Sequence, residues 1–166
     1  MTTLRYFIVG LLCALALTIC AQSLTKPFKW TENGQEYTAT LNEMQELIDE
    51  QLKEMVRQMN EQTPLRIDEA TTLMSSIYLN SEVQHNYRID IDSSKLSDTQ
   101  KENFIAKMKT KQAATMKYLM VDANVDLLSR AEWIRLYKDL KIKFVYNMRD
   151  NQGVVFGRVV VDYKDF

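Results

Sequence analysis

Apolar and polar positions follow two periods along this chain, a period of two residues in some segments and of three to four in others. The clearest period of two lies at residues 83–91, where Val83, His85, Tyr87, Ile89 and Ile91 alternate with polar residues. This pattern predicts a half-buried strand, antiparallel to a β-prone segment at residues 71–79 that precedes it across Asn80-Ser81.

Two further hairpins are predicted near the ends of the chain. Asn33-Gly34 separates two β-prone segments, residues 28–32 and 35–38, and both residues tolerate the positive φ angles of a type I′ turn. Residues 140–148 alternate like a strand, and a turn cluster leads from them into a β-prone segment at residues 154–163. We therefore expect a ribbon at the start and a hairpin at the end.

Helical spacing predicts three helices. Ser/Thr-x-x-Glu/Gln capping boxes at residues 40–43 and 97–100 begin two long apolar stripes, which end near residues 59 and 120. Residues 127–137 continue at the same spacing and predict a shorter third helix. The order predicts an α+β domain, an antiparallel sheet of four to six strands built from hairpins, with two long helices and one short helix packed on one face.

The first two dozen residues have the layout of a secretory signal peptide. A short polar start with the single cation Arg5 precedes an apolar segment at residues 6–19, which is shorter than the roughly 20 residues that span a bilayer. We expect a signal peptide at residues 1–21, a cut after Ala21 and a single exported domain at residues 22–166. The expected location is extracytoplasmic, either periplasmic or secreted, with no membrane span after the signal is removed.

The two cysteines, Cys13 and Cys20, would leave with this leader, and the remaining chain would have no disulfide or thiolate chemistry. The alternative is a lipoprotein, since Leu17-Thr18-Ile19-Cys20 resembles a lipobox in which Cys20 is lipidated, although Ile19 replaces the usual small residue. A third possibility is an uncleaved anchor.

The composition argues against a protein that binds nucleic acid through positive charge. The 21 basic and 22 acidic residues give a formal net charge of −1, whereas nucleic-acid binding calls for a basic face and a high isoelectric point. Four Gly and two Pro leave little room for flexible linkers, in keeping with one domain.

The segment at residues 64–164 resembles a group of small exported bacterial proteins of uncharacterised function. The similar pieces are Pro64-Leu65-Arg66-Ile67-Asp68 with Thr71-Thr72-Leu73, Tyr87-Arg88-Ile89-Asp90, and Phe144-Val145-Tyr146 with Asp150 and Gly153. Members often carry a cysteine in the region of the second helix, which this chain lacks. The resemblance implies an α+β arrangement and an extracytoplasmic setting, and it implies no activity or functional residue.

Few residues offer chemistry. His85 is the only histidine and shares a strand face with apolar residues, so we interpret it as a partly buried structural residue, with pH sensing or binding as the alternative. Asp90 and Asp92 begin like a calcium loop, but Lys95 and Lys101 stand where the turn glycine and the closing glutamate belong. We expect no metal site, no cofactor and no catalytic residue.

Two sets of helical side chains have a functional alternative. Met55/Met59 and Met116/Met120 have the spacing of a Cu(I) site, but core packing is the preferred interpretation. The second helix is rich in lysine, and we interpret this as a solvated face, with a cationic strip for anionic glycans or lipids as the alternative.

The leading functional hypothesis is a non-enzymatic binding protein of the bacterial envelope. Binding would use the exposed side of the sheet, a sheet edge or the aromatic ribbon of Phe28, Trp30 and Tyr37, with an envelope protein or a glycan as partner. No hydrolase motif is present, but a small carboxylate-dependent hydrolase stays an alternative, as does a structural subunit of an envelope assembly.

Overall fold

A two-stranded ribbon begins the part of the chain that the computed structural model describes, residues 26–166. Strand β1 (Phe28–Glu32) pairs antiparallel with β2 (Gln35–Ala39), and Trp30 lies opposite Tyr37. Asn33 and Gly34 have φ angles of 50° and 79°, as the predicted type I′ turn requires. The first hairpin is therefore confirmed.

Five strands form the main sheet, in the spatial order β3 (Leu65–Arg66), β4 (Thr71–Leu79), β5 (Glu82–Ile89), β6 (Lys143–Arg149) and β7 (Val155–Asp162). Three of the four strand pairs are antiparallel, whereas β5 and β6 run parallel. The α+β class is confirmed, and the parallel pair corrects the expectation that every strand pair is antiparallel. The reason is the connection, because two helices carry the chain from the end of β5 back to the start of β6.

Three helices join the strands: α1 (Leu41–Glu61), α2 (Asp98–Met120) and α3 (Arg130–Asp139). Each begins with a capping box, whose first residue is Thr40 for α1, Ser97 for α2 and Ser129 for α3. These boxes satisfy backbone amides that would otherwise lack a partner in the first helical turn. None of the helices within residues 26–166 has the length and apolar character needed to cross a bilayer.

The helices cover one face of the main sheet. α1 packs against β4 and α2 packs against β7. Alternate residues of β5, from Val83 to Ile89, are buried beneath them together with Phe144, Tyr146 and Met148 of β6. The opposite face, which we call the open face, carries the other set of alternate residues, including Gln84, Asn86, Arg88, Val145, Asn147 and Arg149. No helix of the described residues packs on it.

Candidate functional site

Three rows of side chains run across the open face, at right angles to the strands. Because they pass through Gln84, Asn86 and Arg88 of β5, neighbouring rows are roughly 7 Å apart. Strand register gives their members: the apolar row is Ile77, Gln84, Val145 and Val160, the polar row is Ser75, Asn86, Asn147 and Arg158, and the basic row is Arg66, Thr72, Arg88 and Arg149.

The apolar row ends in an exposed hydrophobic side chain on β4. Val145 is fully buried between its strand neighbours, although it lies on the open face and outside the core beneath the helices. At the β4 end of the row Ile77 keeps 50% of its surface exposed, and Leu79, two residues further on, keeps 62%. Ile77 and Leu79 form an exposed apolar patch on β4 of an otherwise polar face, and Gln84 separates this patch from Val145. Exposed apolar patches are typical of binding surfaces.

The polar row is a chain of hydrogen bonds across three strands. The Asn147 amide donates to Oδ1 of Asn86 at 3.1 Å, and the Asn86 amide donates to Oγ of Ser75 at 3.0 Å. These side chains therefore hold each other in fixed positions between the apolar and basic rows.

The basic row places two arginine residues side by side. Arg88 and Arg149 are direct neighbours on β5 and β6 and both are exposed. Arg149 donates one hydrogen bond, from Nη1 to the carbonyl of Gly153 at 3.0 Å. The guanidinium of Arg88 makes no hydrogen bond or ion pair within the described residues. Like charges placed directly opposite each other destabilise a sheet, so the pair is unfavourable in the protein alone.

Two shallow clefts adjoin the basic row and share Arg88. The arginine cleft contains both Arg88 and Arg149, and its other lining residues are Met74, Ser75, Asn86, Tyr87, Asp150 and Gly153. The polar cleft lies on the other side of Arg88 and is lined by Arg66, Glu69, Ala70, Thr72, Asp90 and Asn151. Glu69 and Asp90 are both exposed, so water solvates these carboxylates, and this makes them less suitable as catalytic acids.

Asp150 forms the wall of the arginine cleft, but its carboxylate is engaged elsewhere. Oδ2 accepts a hydrogen bond from the Ser93 hydroxyl at 2.6 Å, and Oδ1 accepts from the amides of Gln152 and Val154 at 3.0 and 2.8 Å. The bond from the Ser93 side chain is the main reason that the pKa of Asp150 lies below its usual value. These donors compensate its charge, and Asp150 serves to shape the turn before β7.

The three aromatic residues predicted to bind a ligand do not form an exposed patch. Phe28 and Trp30 are buried, with 1% and 8% of their surface exposed, and the guanidinium of Arg135 lies 4.1 Å from the centre of the Phe28 ring. Tyr37 is half-buried and stacks on Trp30 at 5.4 Å between ring centres. The ribbon therefore packs with its aromatic side toward the core, and a binding role for these residues stays a prediction.

His85 is more deeply buried than expected. It keeps 4% of its surface exposed, and its Nδ1 atom lies 2.8 Å from the hydroxyl of Ser76, which keeps 2%. Burial lowers the pKa of His85 to about 4, so the ring is neutral at ordinary pH. A Ser–His pair is the usual nucleophile and base of hydrolases, but here no substrate can reach it. The structural interpretation of His85 is the one that its burial supports.

The other candidate residues have structural roles. The carboxylate of Asp92 accepts hydrogen bonds from Ser94 and caps a short 3₁₀ helix, Ser93–Lys95. Among residues 26–166, no group of three His, Cys, Asp or Glu residues could hold a metal ion. The methionines at positions 55, 59, 116 and 120 pack against the core, which confirms their preferred interpretation. Cys20 and the predicted leader lie outside the described residues.

The arginine pair is not predicted by the sequence pattern. Alternation along residues 83–91 does place Arg88 on the polar side of its strand. Arg149 becomes its neighbour only through the parallel pairing of β5 with β6, which joins residues 61 positions apart. No local pattern in the sequence carries that register.

Comparison with solved structures finds three similar folds. The pilotin EpsS of the Vibrio vulnificus type 2 secretion system has a TM-score of 0.51 and 10% identity, over 75% of this chain and 96% of that protein. The type II secretion system pilotin AspS of Vibrio cholerae has a TM-score of 0.48 and 13% identity, over 76% and 98%. A Pseudomonas aeruginosa protein whose description proposes secretion has a TM-score of 0.40 and 9% identity, over 76% and 97%.

No protein-family model matches the chain, and no curated protein matches its sequence. At these identities the similarity concerns the fold alone. A weak structural resemblance to EpsS, a small bacterial secretion pilotin, is therefore what the comparisons establish, and the resemblance expected from the sequence is confirmed at the level of the fold.

Proposed function

We propose that this chain is an exported, non-enzymatic protein of the bacterial envelope that binds another envelope protein through the open face of its sheet. The observation that carries the proposal is the difference between the two faces of the main sheet. The two long helices pack on one side, while the other side keeps Ile77 and Leu79 exposed and also carries two arginines that have no ion pair within the described residues.

The structural neighbours support a role in an envelope assembly. The fold is shared with EpsS, which is named as a pilotin of a secretion system. The predicted signal peptide agrees with an extracytoplasmic place of work, and a lipid on Cys20 would be an additional anchor if the leader is processed at that residue. A partner protein explains the exposed apolar row better than a glycan does, because Ile77 and Leu79 are aliphatic and offer no aromatic face for stacking on a sugar.

A photo-crosslinking amino acid placed at Ile77 tests the proposal in living cells. Ile77 belongs to the exposed apolar patch on β4, and Lys107 on α2 is an exposed control position on the helical side. We expect one discrete envelope protein to be attached at position 77 and not at position 107, and the adduct to be lost in the Leu79→Asp variant. Equal adducts at both positions, or none at position 77, would contradict the proposed function.

A carboxylate-dependent hydrolase stays the alternative prediction. Its natural location would be the polar cleft, where Glu69 and Asp90 both face the same depression. Hydrolysis that disappears in the Glu69→Gln and Asp90→Asn variants would support it.

A further inference from the structure

We infer that the arginine cleft is a binding site for a carboxylate group on an acidic, partly apolar segment of the partner protein. This inference rests on the proposed function and adds the chemistry that the partner must present. It starts from the direct juxtaposition of Arg88 and Arg149 on neighbouring strands, with both side chains lining one cleft.

Neither guanidinium of the pair forms an ion pair among residues 26–166. The Arg88 guanidinium has no hydrogen bond or ion pair in the part of the chain described, and the Arg149 guanidinium uses one nitrogen to donate to the Gly153 carbonyl. Asp150 is the carboxylate lining the same cleft, and its two oxygens already accept bonds from Ser93, Gln152 and Val154. An incoming oxyanion would receive charge-assisted hydrogen bonds from planar guanidinium groups, whose geometry suits bidentate binding.

The surroundings favour a protein carboxylate over a phosphate. Met74 gives the cleft an apolar wall, and Asn86 and Ser75 provide amide and hydroxyl groups of the kind that bind a peptide backbone. Asp90 and Glu69 line the adjoining polar cleft with Arg88, and they would repel a doubly charged phosphate or an anionic membrane surface more strongly than a single carboxylate. The apolar row lies roughly 13 Å from the basic row, so one segment with acidic and apolar side chains can contact both.

Peptide binding to the exported protein tests the inference. The probe is the peptide acetyl-Leu-Glu-Leu-Glu-amide, compared with its Gln counterpart, and the readout is the NMR shift of the arginine Nε–H groups. We expect the acidic peptide to shift Arg88 and Arg149, and Arg88→Gln or Arg149→Gln to weaken binding roughly tenfold. Arg130→Gln, which removes the same charge from the start of α3, should leave binding unchanged. Undiminished binding in the Arg88→Gln and Arg149→Gln variants would overturn the inference.

Two further titrations distinguish the possible sources of the oxyanion. Inorganic phosphate and phosphatidylglycerol vesicles are titrated in the same way, and binding of either one more tightly than the acidic peptide would overturn the assignment to a protein carboxylate. If the adduct at position 77 persists in the Arg88→Gln variant at the wild-type level, this inference fails while the proposed function stands. If position 77 gives no adduct but the peptide binds the arginines, the proposed function fails while the inferred carboxylate site stands.

Thermal unfolding at low salt distinguishes a binding role from a structural one. Removing one of two facing guanidinium groups relieves repulsion, so Arg88→Gln should raise the unfolding temperature by about 1–3 °C or leave it unchanged. A lower unfolding temperature would show that Arg88 stabilises the fold, and would contradict the inference.

Discussion

The hydroxyl of Ser76 and the Nδ1 atom of His85 lie 2.8 Å apart inside the core. The two residues are direct partners on β4 and β5, and their side chains point toward the helices. Tyr146 packs against the imidazole with 5.4 Å between ring centres. A neutral histidine thus occupies a position that is otherwise surrounded by apolar and aromatic groups.

The free energy of unfolding should decrease as the pH is lowered through a range set by His85. Its pKa is about 4 in the folded state and 6.5 in the reference state, so as pH falls below 6.5 the unfolded chain takes up a proton that the folded protein does not. The free energy of unfolding should therefore decrease by roughly 3 kcal/mol between pH 6.5 and pH 4. Urea unfolding measured at intervals across this range gives the slope.

The His85→Gln variant is the control for this slope. Between pH 6.5 and pH 5 it should show little pH dependence, because carboxylates with ordinary or lowered pKa values titrate below this range. A variant whose slope matches that of the wild type would show that another group causes the loss of stability.

Asn60 protects the edge of β4. Its side-chain amide donates to the carbonyl of Ser76 at 2.8 Å, and its Oδ1 accepts from the Ser76 amide at 2.7 Å, as a neighbouring strand would. Asn60→Ala should lower the free energy of unfolding by about 1–3 kcal/mol, because two backbone groups lose their partner. Chemical unfolding gives the value, and Gln58→Ala on the same helix should change it by less than about 0.5 kcal/mol.

Gly157 is a point of close approach between β7 and α2. A Cβ atom there would lie 2.8 Å from Cε of Met148 and 3.0 Å from Cγ1 of Ile105. Gly157→Ala should therefore cost about 1 kcal/mol of stability, since the side chains must shift to make room. In an Ile105→Ala background the same substitution should cost less, and equal costs in the two backgrounds would show that the two residues do not interact.

Asp150 joins the start of the β6–β7 turn to the segment after β5. Its carboxylate accepts from the Ser93 hydroxyl and from two turn amides, and the first of these bonds is the main cause of its lowered pKa. Asp150→Asn should lower the unfolding temperature at neutral pH, because an amide nitrogen cannot accept a hydrogen bond from Ser93. Asp90→Asn, an exposed aspartate in the same region, should have little effect.

The pH dependence of Asp150 has the same direction as that of His85 but lies lower. Because the folded-state pKa lies below the usual value, the stabilisation by this carboxylate is present above that usual value and is lost as pH falls through the folded-state pKa. The loss of stability below pH 4 should be smaller in Asp150→Asn than in the wild type.

Local patterns were sufficient to predict most elements of this fold. Capping boxes at Thr40 and Ser97 begin helices in the structure, and Asn33-Gly34 forms the turn between β1 and β2, because each motif satisfies its backbone groups within a few residues. The alternation around His85 also placed it on the buried side of β5. Such signals depend on neighbours in the sequence.

Tertiary structure alone decided how the strands meet and what the open face presents. The parallel pairing of β5 with β6 follows from a long crossover, and the short strand β3 exists only because it can pair with β4. The same crossover places Arg149 beside Arg88, and the ribbon packing that buries Phe28 and Trp30 is equally a contact between distant segments. Periodicity in a sequence shows which side of an element is apolar, but contacts over long sequence separations depend on the whole core.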